Sequence, residues 1–341
     1  MDVLLWRVVI ISIKNFGELL VNLRIKNKIT KKDLATFIGY TPKQLHRIEK
    51  NECIPSMDLV IQLSDFYKVD LLQYYKLLIN DVSLDSFIQF SKLRNAIEKA
   101  NYSLVNTLCI EYEKLPSFST GENLRLIYYA KALCCLINKK YTESLKYCIE
   151  GLQHNNLEQF YINLSLDKIY SNTTYNLISC VGYNFYFLGE TKKYETIMLT
   201  LYKNINKHFF SDSYIECMNS RFISRFYSTI LNNLSDLNIQ RQEYFIALDF
   251  VEKAIKYSTE SGSGLGILDS FYFTKFQCHY YLEQFEEALM SLDYCLMLSM
   301  IFNKKDYAYR RVTSLKLIYP NIIEYIRLDE LLKKYNLYHK S

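Results

Sequence analysis

The chain has 341 residues, of which 50% are hydrophobic and 23% are charged, a balance that excludes an intrinsically disordered protein. Its 9 glycines and 4 prolines are too few for many strands joined by tight turns, so the composition favours an all-α fold. The net charge is only +5, so the position of the charges matters more than their sum.

The first fourteen residues are predicted to form an N-terminal extension. The apolar stretch from Val3 to Ile13 is interrupted by Trp6 and Arg7 and is shorter than the roughly 20 residues that span a bilayer. Asp2 and the lack of a small-residue cleavage site argue against a signal peptide. We therefore expect a cytoplasmic protein that has no membrane partner.

The 9 cysteines are dispersed, with no CxxC pair and no zinc-ligand spacing. They are interpreted as reduced thiols of a cytosolic protein, with a redox sensor as the alternative. The sequence also contains no recognisable catalytic motif, phosphate-binding loop or metal motif. The expectation is a protein that is not an enzyme and needs no metal and no cofactor.

Basic residues concentrate near the N-terminus. The segment from Lys14 to Lys50 contains nine Lys and Arg residues and three acidic residues, so its net charge is +6 and that of the remainder is −1. A local excess of positive charge is typical of surfaces that contact nucleic-acid phosphate. The segment is therefore the candidate nucleic-acid interface.

Two helices are predicted first in this segment. Phe16 begins an apolar stripe at i, i+3, i+4 and i+7, which indicates a helix that ends near Asn27. Thr30 is a suitable N-cap for the next helix, and Gly39 is a suitable residue to end it, because glycine adopts the left-handed conformation at low cost.

The third helix has the clearest start signal. Thr41 is predicted as the N-cap, Pro42 occupies the first helical position, and Gln44 completes a capping box. Leu45 is predicted to face the core, which leaves basic side chains on the outer face. A short, well-capped basic helix between Thr41 and Lys50 suits the major groove of DNA.

Ser56 then caps a fourth helix, and a fifth is predicted at residues 71–77. From residue 15 to residue 77 the sequence resembles the Xre/Cro/phage-repressor family of helix-turn-helix domains. The resemblance rests on Leu23-Arg24, Thr30, Leu34-Ala35, Ile38-Gly39, Leu45, Ile48-Glu49, Pro55, Leu59, Leu63 and Val69. It implies a five-helix DNA-binding bundle. The alternative is a bundle that makes only protein contacts.

The resemblance implies roles for individual residues. Arg24 and Glu49 correspond to the family's internal ion pair. Pro42 cannot bond a base edge through its side chain, so base reading is expected to rest more on Lys43 and Arg47. The predicted contacts to double-stranded DNA are Lys31, Lys32, Thr41, Pro42, Lys43, Gln44 and Arg47.

A short phrase recurs beyond residue 81, in which an aromatic residue is followed three residues later by a small or aliphatic one. Its copies are at Asn101-Tyr102, Lys140-Tyr141, Lys193-Tyr194, Glu243-Tyr244 and Gln284-Phe285. They resemble the start of the second helix of tetratricopeptide units, so about five stacked helical hairpins with a concave surface are expected. The glycine-rich run at 261–266 has no strand before it, so it predicts an inter-helix loop rather than a phosphate-binding loop.

The predicted domains are an extension at 1–14, an Xre-type domain at 15–80, a tetratricopeptide-like α-solenoid at 81–305 and closing helices at 306–341. This combination resembles the peptide-pheromone-responsive, quorum-sensing transcription regulators of the Rgg, PlcR and PrgX group. The resemblance implies a homodimer that binds operator DNA and receives a short signalling peptide on the concave surface. Two alternatives stay open: a DNA-binding scaffold whose repeats bind a protein partner, and a regulator of a phosphatase or kinase.

Candidate peptide-binding residues lie on the first helices of the predicted repeats, which line the concave side in this architecture. Asparagine can pair with both the donor and the acceptor of a peptide backbone, and arginine can bind a terminal carboxylate. The candidates are Asn176, Tyr183, Asn184, Asn219, Arg221, Arg225, Gln277 and Tyr280.

Overall fold

The computed structural model describes residues 15–72, 75, 84–211, 221–319, 330, 333–335 and 337. Over these residues the chain forms sixteen α-helices and no strand, which confirms the predicted all-α fold. The helices are α1 (Phe16–Lys26), α2 (Lys31–Phe37), α3 (Pro42–Glu49), α4 (Met57–Tyr67), α5 (Leu84–Glu98), α6 (Tyr102–Tyr112), α7 (Gly121–Ile137), α8 (Tyr141–Gly151), α9 (Leu157–Asn163), α10 (Asn172–Phe187), α11 (Thr191–Phe209), α12 (Arg221–Gln240), α13 (Tyr244–Glu260), α14 (Leu268–Tyr281), α15 (Phe285–Ile301) and α16 (Lys305–Ile318).

The chain divides into two compact units, Met1–Cys134 and Cys135–Ser341. The predicted domain boundaries at residues 80 and 305 stay predictions. The predicted extension at 1–14 lies outside the described residues, as do most of the fifth helix at 71–77 and most of the closing segment beyond 319.

Helices α1 to α4 enclose one apolar core, and each begins where the sequence predicts. The four N-cap side chains accept a hydrogen bond from the backbone N–H three residues later, which satisfies one free donor at each helix start. These N-caps are Asn15, Thr30, Thr41 and Ser56. Gly39 follows α2 with φ +70°, the left-handed conformation expected of it.

Five later turns share one backbone hydrogen-bond pattern. A residue with φ between +52° and +80° follows the first helix and donates to the carbonyl three residues back, and its successor donates to the carbonyl five residues back. This is the Schellman motif, which satisfies the last carbonyls of a helix. The left-handed residues are Ala100, Lys139, Gly189, Gln242 and Glu283.

These turns fix the start of the next helix two residues later. Four of the five predicted aromatic starts are confirmed by the bounds of α6, α8, α13 and α15. The prediction at Tyr194 is wrong, because Gly189 sets the turn and α11 begins at Thr191. Tyr194 instead takes the buried position three residues into the helix, where the other four helices have Val105, Ser144, Ala247 and Ala288.

A buried charge cluster joins the last helices of the second unit. The carboxylate of Asp269, on α14, is fully buried and lies 2.7 Å from Lys304 Nζ and 3.5 Å from Arg311 Nη1. Ser299, on α15, also donates to this carboxylate. Because a buried carboxylate needs such partners, the cluster fixes α14, α15 and the start of α16 against one another.

The described helices include none that is both long enough and apolar enough to cross a membrane. Within the same residues, no group of three or more His, Cys, Asp or Glu side chains is placed to hold a metal ion. The run at 261–266 lies between α13 and α14, so the prediction of an inter-helix loop is confirmed.

Candidate functional site

One buried carboxylate of helix α3 forms ion pairs with α1 and α2. Glu49, at the end of α3, has a 2% exposed side chain, and Arg24 Nε of α1 donates to its Oε1 at 2.6 Å. Lys31 Nζ, at the start of α2, lies 3.2 Å from Glu49 Oε2. The ion pair implied for Arg24 and Glu49 is therefore present, and Lys31 is a third member that the sequence did not indicate.

Lys31 makes a second contact with α3. Its ammonium also donates to Nδ1 of His46, 2.9 Å away on α3. Lys31 thus contacts both Glu49 and His46 of α3, and its side chain is 38% exposed. A phosphate contact by Lys31 stays a prediction.

The backbones of α1 and α3 approach each other at Gly17. A Cβ atom added there would lie 2.5 Å from the carbonyl oxygen of Glu49 and 2.6 Å from that of Ile48. Contacts this short do not occur, so α1 and α3 can pack at this distance only because residue 17 has no side chain. Gly17 therefore helps to set the position of α3.

The capping box at the start of α3 is complete. Gln44 N donates to Thr41 Oγ1 at 3.2 Å, and Thr41 N donates to Gln44 Oε1 at 2.8 Å. Pro42 occupies the first turn, as predicted. These bonds use the Thr41 hydroxyl and the Gln44 amide oxygen, so both side chains serve helix geometry whether or not they also contact DNA.

Replacing Thr41 with alanine is expected to lower the free energy of unfolding of the N-terminal bundle by about 1 kcal/mol, because the Gln44 N–H loses its acceptor. The measurement is amide hydrogen exchange of α3 across a urea series. Thr36→Ala is the matched control, because Thr36 is exposed and its hydroxyl bonds only a carbonyl within α2. Equal losses in the two variants would contradict a capping role.

The outer face of α3 carries the predicted DNA contacts. Lys43 and Arg47 are exposed, and within the described ranges the side chain of Arg47 has one long contact, 3.8 Å, with the exposed Glu52. Exposed pairs of this kind contribute little, so the guanidinium can exchange Glu52 for another acceptor. The exposed members of the predicted set are Lys32, Thr41, Pro42, Lys43, Gln44 and Arg47.

In the second unit, hydrogen bonds link α10, α12 and α14 side by side. Asn233 Nδ2 donates to the Tyr183 hydroxyl at 2.8 Å, and Thr274 donates to Asp236 Oδ1 at 3.2 Å. We call the side of these three helices that carries Tyr183, Asn233, Asp236 and Thr274 the inner face. The predicted peptide-binding residues, apart from Asn219, lie on these helices, and a peptide site there stays a prediction.

The structure sorts the predicted peptide-binding residues other than Asn184 into three groups. Exposed or half-buried on the inner face are Asn176, Tyr183, Arg221 and Arg225. Gln277 donates to Tyr319, and the Tyr280 ring packs 4.9 Å from the Tyr319 ring, so both also serve the C-terminal core. Asn219 lies outside the described residues.

The placement of Asn184 on an accessible surface is wrong. Its side chain is fully buried, and Nδ2 donates to Ser144 Oγ at 2.9 Å and to the Cys180 carbonyl at 2.8 Å. The bond to Ser144 ties α10 to α8, and the bond to Cys180 lies within α10. Tyr183 and Asn184 are adjacent in the sequence, but helix periodicity turns the Asn184 side chain toward the core. The sequence alone does not show which of two neighbouring polar residues is buried.

Sequence reasoning missed Asp236, on the inner face of α12. Burial raises the pKa of its carboxyl to about 6, and the bond from Thr274 lowers it to a smaller extent. Asn232, Asn233 and Asp236 fall at i, i+1 and i+4 on one helix. Polar residues at that spacing lie on one side of a helix, which is the signal that could have identified Asp236.

Comparison with known proteins gives a family match for the N-terminal domain and a structural match for most of the chain. Residues 20–73 match the family described as helix-turn-helix. PlcR of Bacillus thuringiensis, solved with the peptide PapR7 and DNA, is 14% identical with a TM-score of 0.62, covering 86% of this chain and 98% of that one. ComR of S. thermophilus, solved with DNA and its signalling peptide, is 15% identical with a TM-score of 0.57, covering 90% and 99%.

No curated protein matches the chain in sequence. At this level of identity the two solved structures establish the fold, and they confirm the predicted arrangement of a helix-turn-helix bundle followed by a helical solenoid. Residues 20–73 therefore form a helix-turn-helix domain within a chain that has the all-α fold of PlcR and ComR.

Proposed function

We propose that this protein is a cytoplasmic transcription regulator that binds operator DNA as a homodimer and responds to a short signalling peptide. The observation that carries the DNA-binding part is the exposed basic face of α3 on a helix fixed by a buried ion cluster. PlcR and ComR, which share the fold, were solved bound to DNA and to a peptide. That likeness supports the proposal for the peptide.

In the proposed DNA complex α3 enters the major groove. Lys43 and Arg47 donate to guanine O6 and N7, and Lys31 and Lys32 at the start of α2 contact phosphate. Thr41, Pro42 and Gln44 lie at the start of α3, where a helix N-terminus favours a phosphate group. In a dimer, the separation of the two copies of α3 determines which half-site spacing is bound.

An apolar stripe on α15 is the candidate surface for the dimer. Met290, Tyr294, Met297 and Ile301 recur at i, i+4, i+7 and i+11 and are between 39% and 62% exposed. A continuous exposed apolar stripe is typical of a surface that contacts another protein. The same stripe supports the alternative function, a DNA-binding scaffold whose repeats bind a protein partner.

The test is DNase footprinting and gel retardation on the region upstream of the gene, with and without short peptides encoded beside it. A protected site whose affinity or extent changes with one peptide is the expected result. Protection that no peptide alters would favour the scaffold. If no promoter fragment is retarded even at low salt, the regulator is the wrong function.

Arg47→Ala is expected to weaken binding to the footprinted operator by roughly 1–3 kcal/mol and to relax the preference at one base pair, because the guanidinium supplies paired donors to a guanine edge. Competition with single-base operator variants measures both effects. Lys146→Ala removes an exposed cation on α8 and serves as the control. Unchanged discrimination in Arg47→Ala would remove this residue from the site.

A further inference from the structure

The carboxylate of Asp236 lies on the inner face without a cationic partner. Thr274 Oγ1 donates to its Oδ1 at 3.2 Å, and Asn232 Nδ2 lies 3.4 Å from its Oδ2. The described part of the chain pairs no Lys or Arg with it. The other buried carboxylates described above, Glu49 and Asp269, each have two cations.

The described titratable groups that Asp236 influences lie on three neighbouring helices and just after α16, and none of these groups is a cation. They are Tyr183 on α10, Tyr194 on α11, Cys278 on α14, and Tyr319 after α16. The Asp236 carboxylate contributes to raising the pKa of each group, although burial is the largest cause in all four. Among the described residues, the surroundings of Asp236 therefore have an uncompensated negative potential at neutral pH.

A second polar group beside Asp236 lacks a partner. Asn232 is 9% exposed, and its Oδ1 atom is buried with no hydrogen-bond donor among the described residues. Its amide nitrogen already points to Asp236. An acceptor left unbonded next to an unpaired carboxylate is costly, so the two together point to a ligand that brings hydrogen-bond donors and positive charge.

The same helix carries an opposite charge three turns away. Arg225 is exposed and lies 11 residues before Asp236, which places both side chains on one side of α12 about 16 Å apart along the axis. An extended peptide covers that distance with about five residues. Thr229 and Asn233 lie on the same side between them.

We propose that the inner face binds a short peptide in one direction, with a cationic nitrogen on Asp236 and Asn232 and the C-terminal carboxylate on Arg225. This inference rests on the proposed peptide response and adds the charge, the length and the direction of the ligand. The cation is either the N-terminal amine or a lysine side chain near that end. Both would supply donors to the Asp236 carboxylate and to Asn232 Oδ1.

Three synthetic hexapeptide libraries without Asp or Glu test the proposal on the full chain. One has a free N-terminus and no Lys or Arg, one is N-acetylated with a single Lys, and one is N-acetylated with no Lys or Arg. Affinity selection with mass spectrometry compares the wild type with Asp236→Asn. Asp249→Asn removes an exposed carboxylate on α13 and is the matched control.

The wild type and Asp249→Asn are expected to retain the first or the second library at least about tenfold over the third at pH 7.5, because the peptide cation pairs with a half-buried carboxylate. Which of the two is retained identifies the cation as the amine or the lysine. Asp236→Asn should lose the preference. In the wild type the preference for the cationic library should fall as the pH drops below about 6, because the carboxyl of Asp236 in the unbound protein becomes protonated there.

Equal retention of all three libraries, or an unchanged preference in Asp236→Asn, would overturn this inference and leave the peptide response standing. Retention of no library by the wild type would overturn both. Folding is checked by thermal melting. Asp236→Asn should melt no lower than the wild type at pH 7.5, because the folded protein already disfavours the charged form of this side chain.

Discussion

Glu49→Ala is expected to destabilise the helix-turn-helix domain by about 3–5 kcal/mol, because it leaves Arg24 and Lys31 next to an apolar core without their shared anion. Arg24 is only 14% exposed and cannot recover its hydration without moving α1. Burial also raises the pKa of the neighbouring Tyr67 to about 12. A bundle of about 60 residues has a total stability of roughly 3–9 kcal/mol, so much of it would be lost.

Amide hydrogen exchange of residues 16–67 in the full chain measures this loss without interference from the second unit. Glu52→Ala is the control, because Glu52 is an exposed acid near the end of the same helix and makes only a 3.8 Å contact with Arg47. The double variant Arg24→Met with Glu49→Leu should lose less than Glu49→Ala alone, since no buried guanidinium remains. If Glu49→Ala and Glu52→Ala exchange at the same rates, the ion cluster does not hold α3.

Gly17→Ala is the second change with a large expected effect. The new Cβ would lie 2.5 Å from the Glu49 carbonyl oxygen. Neither atom can rotate away, because the Cβ is fixed to the backbone of α1 and the carbonyl belongs to the backbone of α3. Overpacking of this kind costs about 1–3 kcal/mol. The opposing gain from alanine is at most about 1 kcal/mol, the value for a helix interior, because Gly17 lies in the first turn of α1. Operator affinity should fall as well, because α3 is displaced from α1.

Urea unfolding and gel retardation on the footprinted operator measure the two effects. Gly266→Ala is the matched control, because a Cβ at residue 266 meets no atom within 4 Å and its φ is not positive. Gly39 is unsuitable as a control, since its φ of +70° would add backbone strain. A Gly17→Ala protein that unfolds and binds DNA like Gly266→Ala would show that the close approach of α1 and α3 is not required.

Local signals in the sequence determined the helix starts in the N-terminal bundle. Thr41, Pro42 and Gln44 act within one turn, so their hydrogen bonds form whatever packs against the helix, and the structure shows the predicted capping box. The same holds for Thr30 and Ser56. In the solenoid the aromatic phrase located four helix starts for the same reason, because the turn before each is closed by its own backbone bonds.

Signals that depend on distant residues were less reliable. The position of α11 was predicted from Tyr194, but the Schellman turn at Gly189 fixes its start, and Tyr194 is a core residue. The pairing of Arg24 with Glu49 was implied by family resemblance rather than by spacing. Nothing local indicated that Lys31 joins them.

The sequence by itself determined that the chain is helical, where its first helices begin, and that the basic residues concentrate around α3. Only the tertiary structure decided which polar side chains are available: Asn184 is buried against α8, and Asp236 emerges as an unpaired carboxylate. The physical reason is the distance along the chain over which each interaction acts. Caps and turns are set by atoms a few residues apart, whereas burial and ion pairing depend on helices brought together from 25 to 50 residues away.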